Sequence, residues 1–190
     1  MVRLAPMTTD KQTRVAVLLG STRTGSLNRR IAEHLRDNAP AGVTVDVVEG
    51  LDAVPFYSEE LDGDTAPASA TALRESVAAA DRVLAVTPEY NGTMPAILNN
   101  AIDWLSRPYG AGAIVGKPFA AVGTTPTPYG GKWSHEHARH SATIAGAVVV
   151  EGIVVDEPAV DGDPLENEAA VQRLIGALDA LVAHEAEVAA

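Results

Sequence analysis

The sequence predicts an open α/β fold, a parallel sheet with helices on both faces. Three observations predict it. Apolar runs rich in Val and Leu recur along the chain, and the first is continuous, as in a strand buried on both faces. A polar loop and an amphipathic stretch at helical spacing follow such runs. Strand and helix alternate throughout, with no internal repeat or low-complexity tract, which implies parallel strands joined by right-handed crossovers. In such sheets ligands sit beyond the carboxyl ends of the strands, near where strand order reverses. The loops after strands one, three and four should therefore share one site.

Each element has its own signal. Residues 14–19 form the first strand. Leu27, Ile31, Ala32 and Leu35 fall on one helical face, and Asn38, Pro40 and Gly42 stop that helix. Residues 43–48 form the second strand. Residues 55–67 read as loop, with Gly63, two prolines and several acids. Thr65 is placed to cap a helix over residues 67–80, because Pro67 suits a first turn. A third strand covers 83–86. Pro95 opens a helix that carries Ile97, Leu98, Ala101, Ile102 and Leu105. Residues 117–122 form the fourth strand, ending at Gly123, and 133–145 the next helix. A fifth strand covers 147–150. Asp163-Pro164-Leu165-Glu166 has the cap, the first-turn Pro and the Glu three residues on that begin a helix. That helix runs towards Val188, with Leu174, Leu178 and Leu181 on one side.

With 190 residues the chain is most simply one domain, residues 13–190, behind a loose leader of residues 1–12. A formal charge of −11 argues against nucleic-acid binding, since phosphate backbones favour basic surfaces, but not against a small anion held by local donors. The absence of Cys excludes disulfides, thiol catalysis and Cys-bound metal. No apolar run approaches the ~20 residues of a membrane span, and the leader lacks the apolar stretch of a signal peptide. A cytoplasmic protein is the expectation.

The first loop is Gly20-Ser21-Thr22-Arg23-Thr24-Gly25-Ser26-Leu27-Asn28. Gly20 and Gly25 have Walker A spacing, but Ser26 and Leu27 stand where Lys and Ser/Thr are needed, so nucleoside triphosphate hydrolysis is poorly supported. Thr22 breaks the G-x-G-x-x-G dinucleotide fingerprint, although Glu49 after the second strand leaves a variant dinucleotide fold open. The loop offers hydroxyls, an amide, a guanidinium and the free N–H groups of a helix start. Such a set suits a terminal phosphate monoester. The plainer alternative makes Ser26 a helix cap and Arg23 a solvated loop residue.

The second loop is the most specific stretch, from Thr87-Pro88-Glu89-Tyr90-Asn91-Gly92 to Asn99-Asn100-Ala101-Ile102-Asp103-Trp104. Together with Gly20-Ser-x-Arg-x-x-Ser-x-Asn28 it closely resembles the NADPH-dependent FMN reductase family, over roughly residues 14–155. The resemblance implies a flavodoxin-like three-layer sandwich with a five-stranded parallel sheet in the order 2-1-3-4-5. It also implies non-covalent FMN. Carried over, the first loop sets Ser21, Arg23, Ser26, Leu27 and Asn28 around the phosphate. The second sets Pro88, Glu89, Tyr90, Asn91 and Gly92 along the ring. Pro88 stiffens the turn and Gly92 permits close approach or positive φ. The third loop, Gly123 to Gly131, ends in the family's double Gly but has two prolines and a Tyr where the family more often shows small residues and an Arg. Gly123, Thr124 and Thr125 carry over as ring contacts. Tyr90 as a packed aromatic and Asn91-Gly92 as a ligand-free turn are the alternatives.

Other signals carry less. His137 and His140 share a helix face, but the H-E-x-x-H spacing is absent, so a polar face or subunit contact is the simpler reading and no metal is expected. No G-x-S-x-G elbow supports a hydrolase. The acidic stretch 157–168 reads as a solvated connection. Trp104 reads as core, and its helix, with Met94, Ile97 and Ile102, is a candidate interface, since the family forms homodimers and homotetramers. The resemblance thus implies hydride transfer from NADPH or NADH to FMN, then onward to a flavin, quinone or azo acceptor. No residue is an obligatory acid, base or nucleophile, because the flavin carries the chemistry. Arg23 meeting the 2′-phosphate of NADPH is a further option. The competing classes are a flavodoxin-like electron carrier and a dinucleotide binder using Glu49.

Overall fold

The computed structural model describes residues 12–185. The expected leader lies outside the described residues apart from Gln12, whose amide donates to Thr44 Oγ1 at 2.6 Å. Four strands, β1 (Thr13–Leu19), β2 (Val43–Val48), β3 (Arg82–Val86) and β4 (Pro118–Thr125), pair in parallel in the order β2-β1-β3-β4. Two short strands share the place beyond β4. The first, β5 (Val148–Val149), pairs with Pro118 and Phe119, and β6 (Val155–Pro158) pairs with Val122 to Thr125. The expected order 2-1-3-4-5 holds, with a sixth strand that the sequence reading missed. The interruption is a turn at Glu151-Gly152, where the Ile153 N–H donates to the Val150 carbonyl at 3.1 Å.

Helices α1 (Leu27–Asp37) and α5 (Glu168–Ala183) cover one face of the sheet. Helices α2 (Ala68–Ala78), α3 (Ala96–Leu105) and α4 (Lys132–Ile144) cover the other. Side chains alternate as the pleat demands. Val15, Val17 and Leu19 of β1 face α1 and α5, while Ala16 and Leu18 face the other core. Both faces are buried, which is why the runs read as continuous. The register places Leu19 beside Val86 and Val86 beside Val122. β1 and β3 therefore end level beside Val122 of β4, and the loops after all three strands gather at one edge of the sheet.

Several expectations need correction. Thr65 does not cap α2: it ends a 3₁₀ turn, Gly63–Thr65, and donates to the Glu60 and Asp62 carbonyls at 3.2 and 3.1 Å. Pro67 takes the cap position instead. Asp163 caps only the 3₁₀ turn Pro164–Glu166, and Asn167 caps α5 through the Ala169 and Ala170 N–H groups. The α5 helix ends at Ala183, and Val188 lies outside the described residues. β4 runs past Gly123 to Thr125 because β6 supplies it with a partner. Glu157, read as solvated, is buried in β6, where Arg173 of α5 grips its two carboxylate oxygens at 2.6 and 2.9 Å. Nor is the segment before α2 free. Asn100 and Trp104, both buried on α3, hold it through the Tyr57 N–H and the Val54 and Pro55 carbonyls. Trp104 is core, as expected.

Candidate active site

The first loop leaves β1 under tight packing. A Cβ on Gly20 would lie 2.1 Å from Thr87 Oγ1, so only Gly allows β1 to end against β3. Ser26 occupies the cap position of α1 but makes no side-chain cap bond. That removes the plain capping role and leaves the first N–H groups of α1 without a side-chain acceptor. The Arg23 side chain, exposed, forms no ion pair or hydrogen bond among the described residues. Asn28 is buried: its amide donates to the Thr124 carbonyl and accepts from the Thr124 N–H, each at 2.9 Å. It clamps α1 to the end of β4.

The second loop is a small hairpin. Tyr90 and Thr93 exchange both backbone bonds at 3.0 and 3.1 Å. Asn91 (φ 53°) and Gly92 (φ 71°) form its two-residue turn, the geometry that Asn-Gly favours. Upstream, two successive carbonyls are held from below. His135 Nε2 lies 3.1 Å from the Thr87 carbonyl, and Ser134 Oγ donates to the Pro88 carbonyl at 2.7 Å. His135 Nδ1 meets Asp156 of β6 at 2.5 Å. The ring thus bridges β6 and the end of β3, with a carboxylate oxygen on one side and a backbone carbonyl on the other. The Glu89 carboxylate accepts from the Trp133 and Ser134 N–H groups at 3.1 and 3.3 Å, capping α4.

The double Gly of the third loop has a packing cause. A Cβ on Gly130 would lie 2.4 Å from the Asp156 backbone, and one on Gly131 would crowd the His135 ring at 3.1 Å. Gly123 is a spacer of the same kind, with 2.2 Å from its missing Cβ to the Thr87 carbonyl and 2.6 Å to Asn28 Oδ1.

These loops enclose a cleft of about 450 Å³. Ser21, Arg23, Ser26, Leu27 and Asn28 line it from the first loop, Pro88, Glu89 and Tyr90 from the second, and Thr124 and Thr125 from the end of β4. Pro126 and Thr127 also line it and were not among the expected contacts. Asn91, Gly92 and Gly123 do not line it: Asn91 borders a neighbouring hollow with Met94 and Pro95, and Gly123 is enclosed. Glu49, the acid of the dinucleotide alternative, is engaged by Arg29 through two bonds of 2.8 and 3.1 Å, and that contact lowers its pKa. In the histidine-rich stretch, His135 supports the second loop, and His137 bonds Thr93 Oγ1 at 2.8 Å. Sequence reasoning missed the role of Ser134 and His135. Their only signal was a cluster that suggested metal. A larger groove, about 710 Å³, runs between α3 and α4 past Met94, Ile102, His137 and the exposed Ile144.

Residues 13–161 match the family described as NADPH-dependent FMN reductase. The chain is 40% identical over 126 residues to a 2-hydroxy-1,4-benzoquinone reductase of a Burkholderia species, covering 66% of this chain and 68% of that one. It is 33% identical over 160 residues to a quinone reductase of Escherichia coli K12, covering 84% and 82%. Among solved structures it is similar to FerB, a flavoenzyme NAD(P)H:(acceptor) oxidoreductase of Paracoccus denitrificans. The TM-score is 0.79 at 31% identity, covering 90% of this chain and 95% of that one.

Proposed function

The chain belongs to the NADPH-dependent FMN reductase family, and from that premise we propose that the cleft between its three loops holds FMN and that the residues lining it are the cofactor's contacts. The protein is an FMN-dependent oxidoreductase that uses NADPH or NADH. FMN, when bound, supplies hydride transfer from the nicotinamide and onward reduction of a flavin, quinone or similar acceptor. The residues supply binding and electrostatics.

One observation carries the assignment: uncommitted donors converge on one cleft. The Arg23 guanidinium and the uncapped start of α1 face it from the first loop. The Glu89 N–H faces no acceptor among the described residues. Donors with no protein partner suit a phosphate at one end and an electron-rich ring edge at the other. The volume lies within the ~300–1,000 Å³ usual for small-molecule sites. Ser21, Arg23, Ser26 and Leu27 would hold the phosphate. Asn28 lines the cleft beside them while its amide ties α1 to Thr124. Pro88, Glu89, Tyr90, Thr124 and Thr125 would border the ring. Asn91 and Gly92 shape that border by making the turn, and Gly123 by letting the loops close up.

The reading extends to a cytoplasmic enzyme that self-associates as a homodimer or homotetramer through the α3–α4 groove. Ile144 and Tyr109 leave apolar surface exposed there. Among the described residues no helix is long and apolar enough to cross a membrane.

The test is an absorbance spectrum of FMN-loaded protein during anaerobic NADPH addition. The flavin band is expected to bleach and to return when a quinone is added. A flavin that stays oxidised would make the protein an electron carrier. Protein that takes up no FMN would remove the cofactor assignment altogether.

A further inference from the structure

We infer that Ser134 is a positioning residue for the flavin, acting through the Pro88–Glu89 peptide; the inference rests on the FMN reading above. Ser134 is fully buried in the first turn of α4. Its hydroxyl donates to the Pro88 carbonyl at 2.7 Å, and the Thr87 hydroxyl donates to the same oxygen at 2.9 Å. A carbonyl oxygen has two lone pairs, and both are taken here. One bond would satisfy the oxygen; two, one from α4 and one from the loop itself, fix the plane of the peptide.

That plane fixes a donor on its other side. The Pro88–Glu89 bond is trans, and a trans peptide points its N–H opposite to its carbonyl. With the Pro88 carbonyl held towards Ser134, the Glu89 N–H points away from α4. It has no acceptor among the described residues, and both Pro88 and Glu89 border the cleft. His135 steadies the preceding carbonyl, that of Thr87, at 3.1 Å. Glu89 adds a second tie to α4 through the Trp133 and Ser134 N–H groups. A donor held this way needs no reorganisation when negative charge builds up on the ring, so it favours the reduced cofactor over the oxidised one. Ser134 touches no cofactor itself; it decides which way the Glu89 N–H faces.

The experiment compares wild type with Ser134→Ala. Oxidised FMN is titrated aerobically, and dithionite-reduced FMN anaerobically. The variant is expected to bind oxidised FMN within about twofold of wild type and reduced FMN about tenfold more weakly, the loss of one charge-assisted bond. For a two-electron couple that tenfold change equals about 30 mV in the potential of bound FMN. The Glu89 amide resonance of FMN-free protein should also shift or broaden as the peptide gains freedom. Thr87→Val, which removes the other hydroxyl at similar size, is expected to move both readouts the same way and carries the test if Ser134→Ala fails to fold. Folded variants with an unchanged ratio of reduced to oxidised affinity, or with an unmoved Glu89 resonance, overturn the inference and leave the FMN reading standing. Wild-type protein that binds no FMN overturns both.

Discussion

Gly123 and Arg23 show the two ways in which one residue serves this cleft. Gly123 matters for what it lacks. With 2.2 Å from its missing Cβ to the Thr87 carbonyl, a backbone atom, an added methyl must push β3 and β4 apart. Gly123→Ala is expected to lower unfolding free energy by about 1–3 kcal/mol and to weaken FMN binding with it, checked by urea unfolding and FMN fluorescence titration. Arg23 matters for what it offers, a guanidinium with no partner among the described residues. Arg23→Ala should leave stability nearly unchanged while weakening FMN retention by roughly 1.5–3 kcal/mol, the value of a charge-assisted contact. Unchanged affinity in that titration would remove Arg23 from the phosphate end and leave it to the pyridine nucleotide.

At the scale of elements, ion pairs tie connections to the helices beside them. Asp62, in the connection before α2, accepts from Arg74 of α2 at 2.8 Å, from the Gly63 N–H and from the Tyr57 hydroxyl. The Arg74 bond is the main cause that holds its carboxyl below the ordinary carboxylate range, against the opposing effect of burial. The folded-state pKa is thus lower than the unfolded one. This contribution is complete above the usual Asp value near ~4 and is lost as pH falls through the lower folded value. Urea midpoints measured from pH 6 down to pH ~3 should fall less steeply for Asp62→Asn than for wild type. On the far edge of the sheet, Glu157 is buried while its partner Arg173 is about half exposed. Arg173→Met strands that carboxylate, and a loss of about 1–3 kcal/mol is expected from thermal or urea unfolding.

For the whole molecule, the two cores and the cleft are coupled through the sheet. Leu178, fully buried on α5, packs with Val17 and Val122 in the core beneath β1 and β4, the strands whose ends carry the first and third loops. Leu178→Ala is expected to cost about 2–5 kcal/mol without touching the cleft, so FMN affinity measured well below the unfolding transition should stay close to wild type. Ligand binding to the native state should raise the unfolding temperature as FMN concentration rises, through a stabilisation of about 2.7 kcal/mol at a hundredfold excess over Kd. A melting temperature indifferent to FMN would contradict a site built from three separate loops of the folded chain.

What the sequence determined by itself was local or periodic. Apolar runs buried on both faces gave β1 to β5 to within a few residues. The two motifs located eight of the cleft's lining residues and the third loop two more, and they meet because loops after parallel strands must gather at one edge. Where tertiary structure decided, the deciding partner was distant in the chain. β6 exists because β4 has an open edge, and Glu157 is buried because α5 brings Arg173 over it. Asn28 and Gly123 serve packing because β4 lies against them, and Asn91-Gly92 close a hairpin beside the cleft. Ser134 and His135 support the second loop because α4 folds under Thr87 and Pro88. Such contacts leave no periodicity in the sequence, since their energy comes from groups that meet only when the sheet has formed.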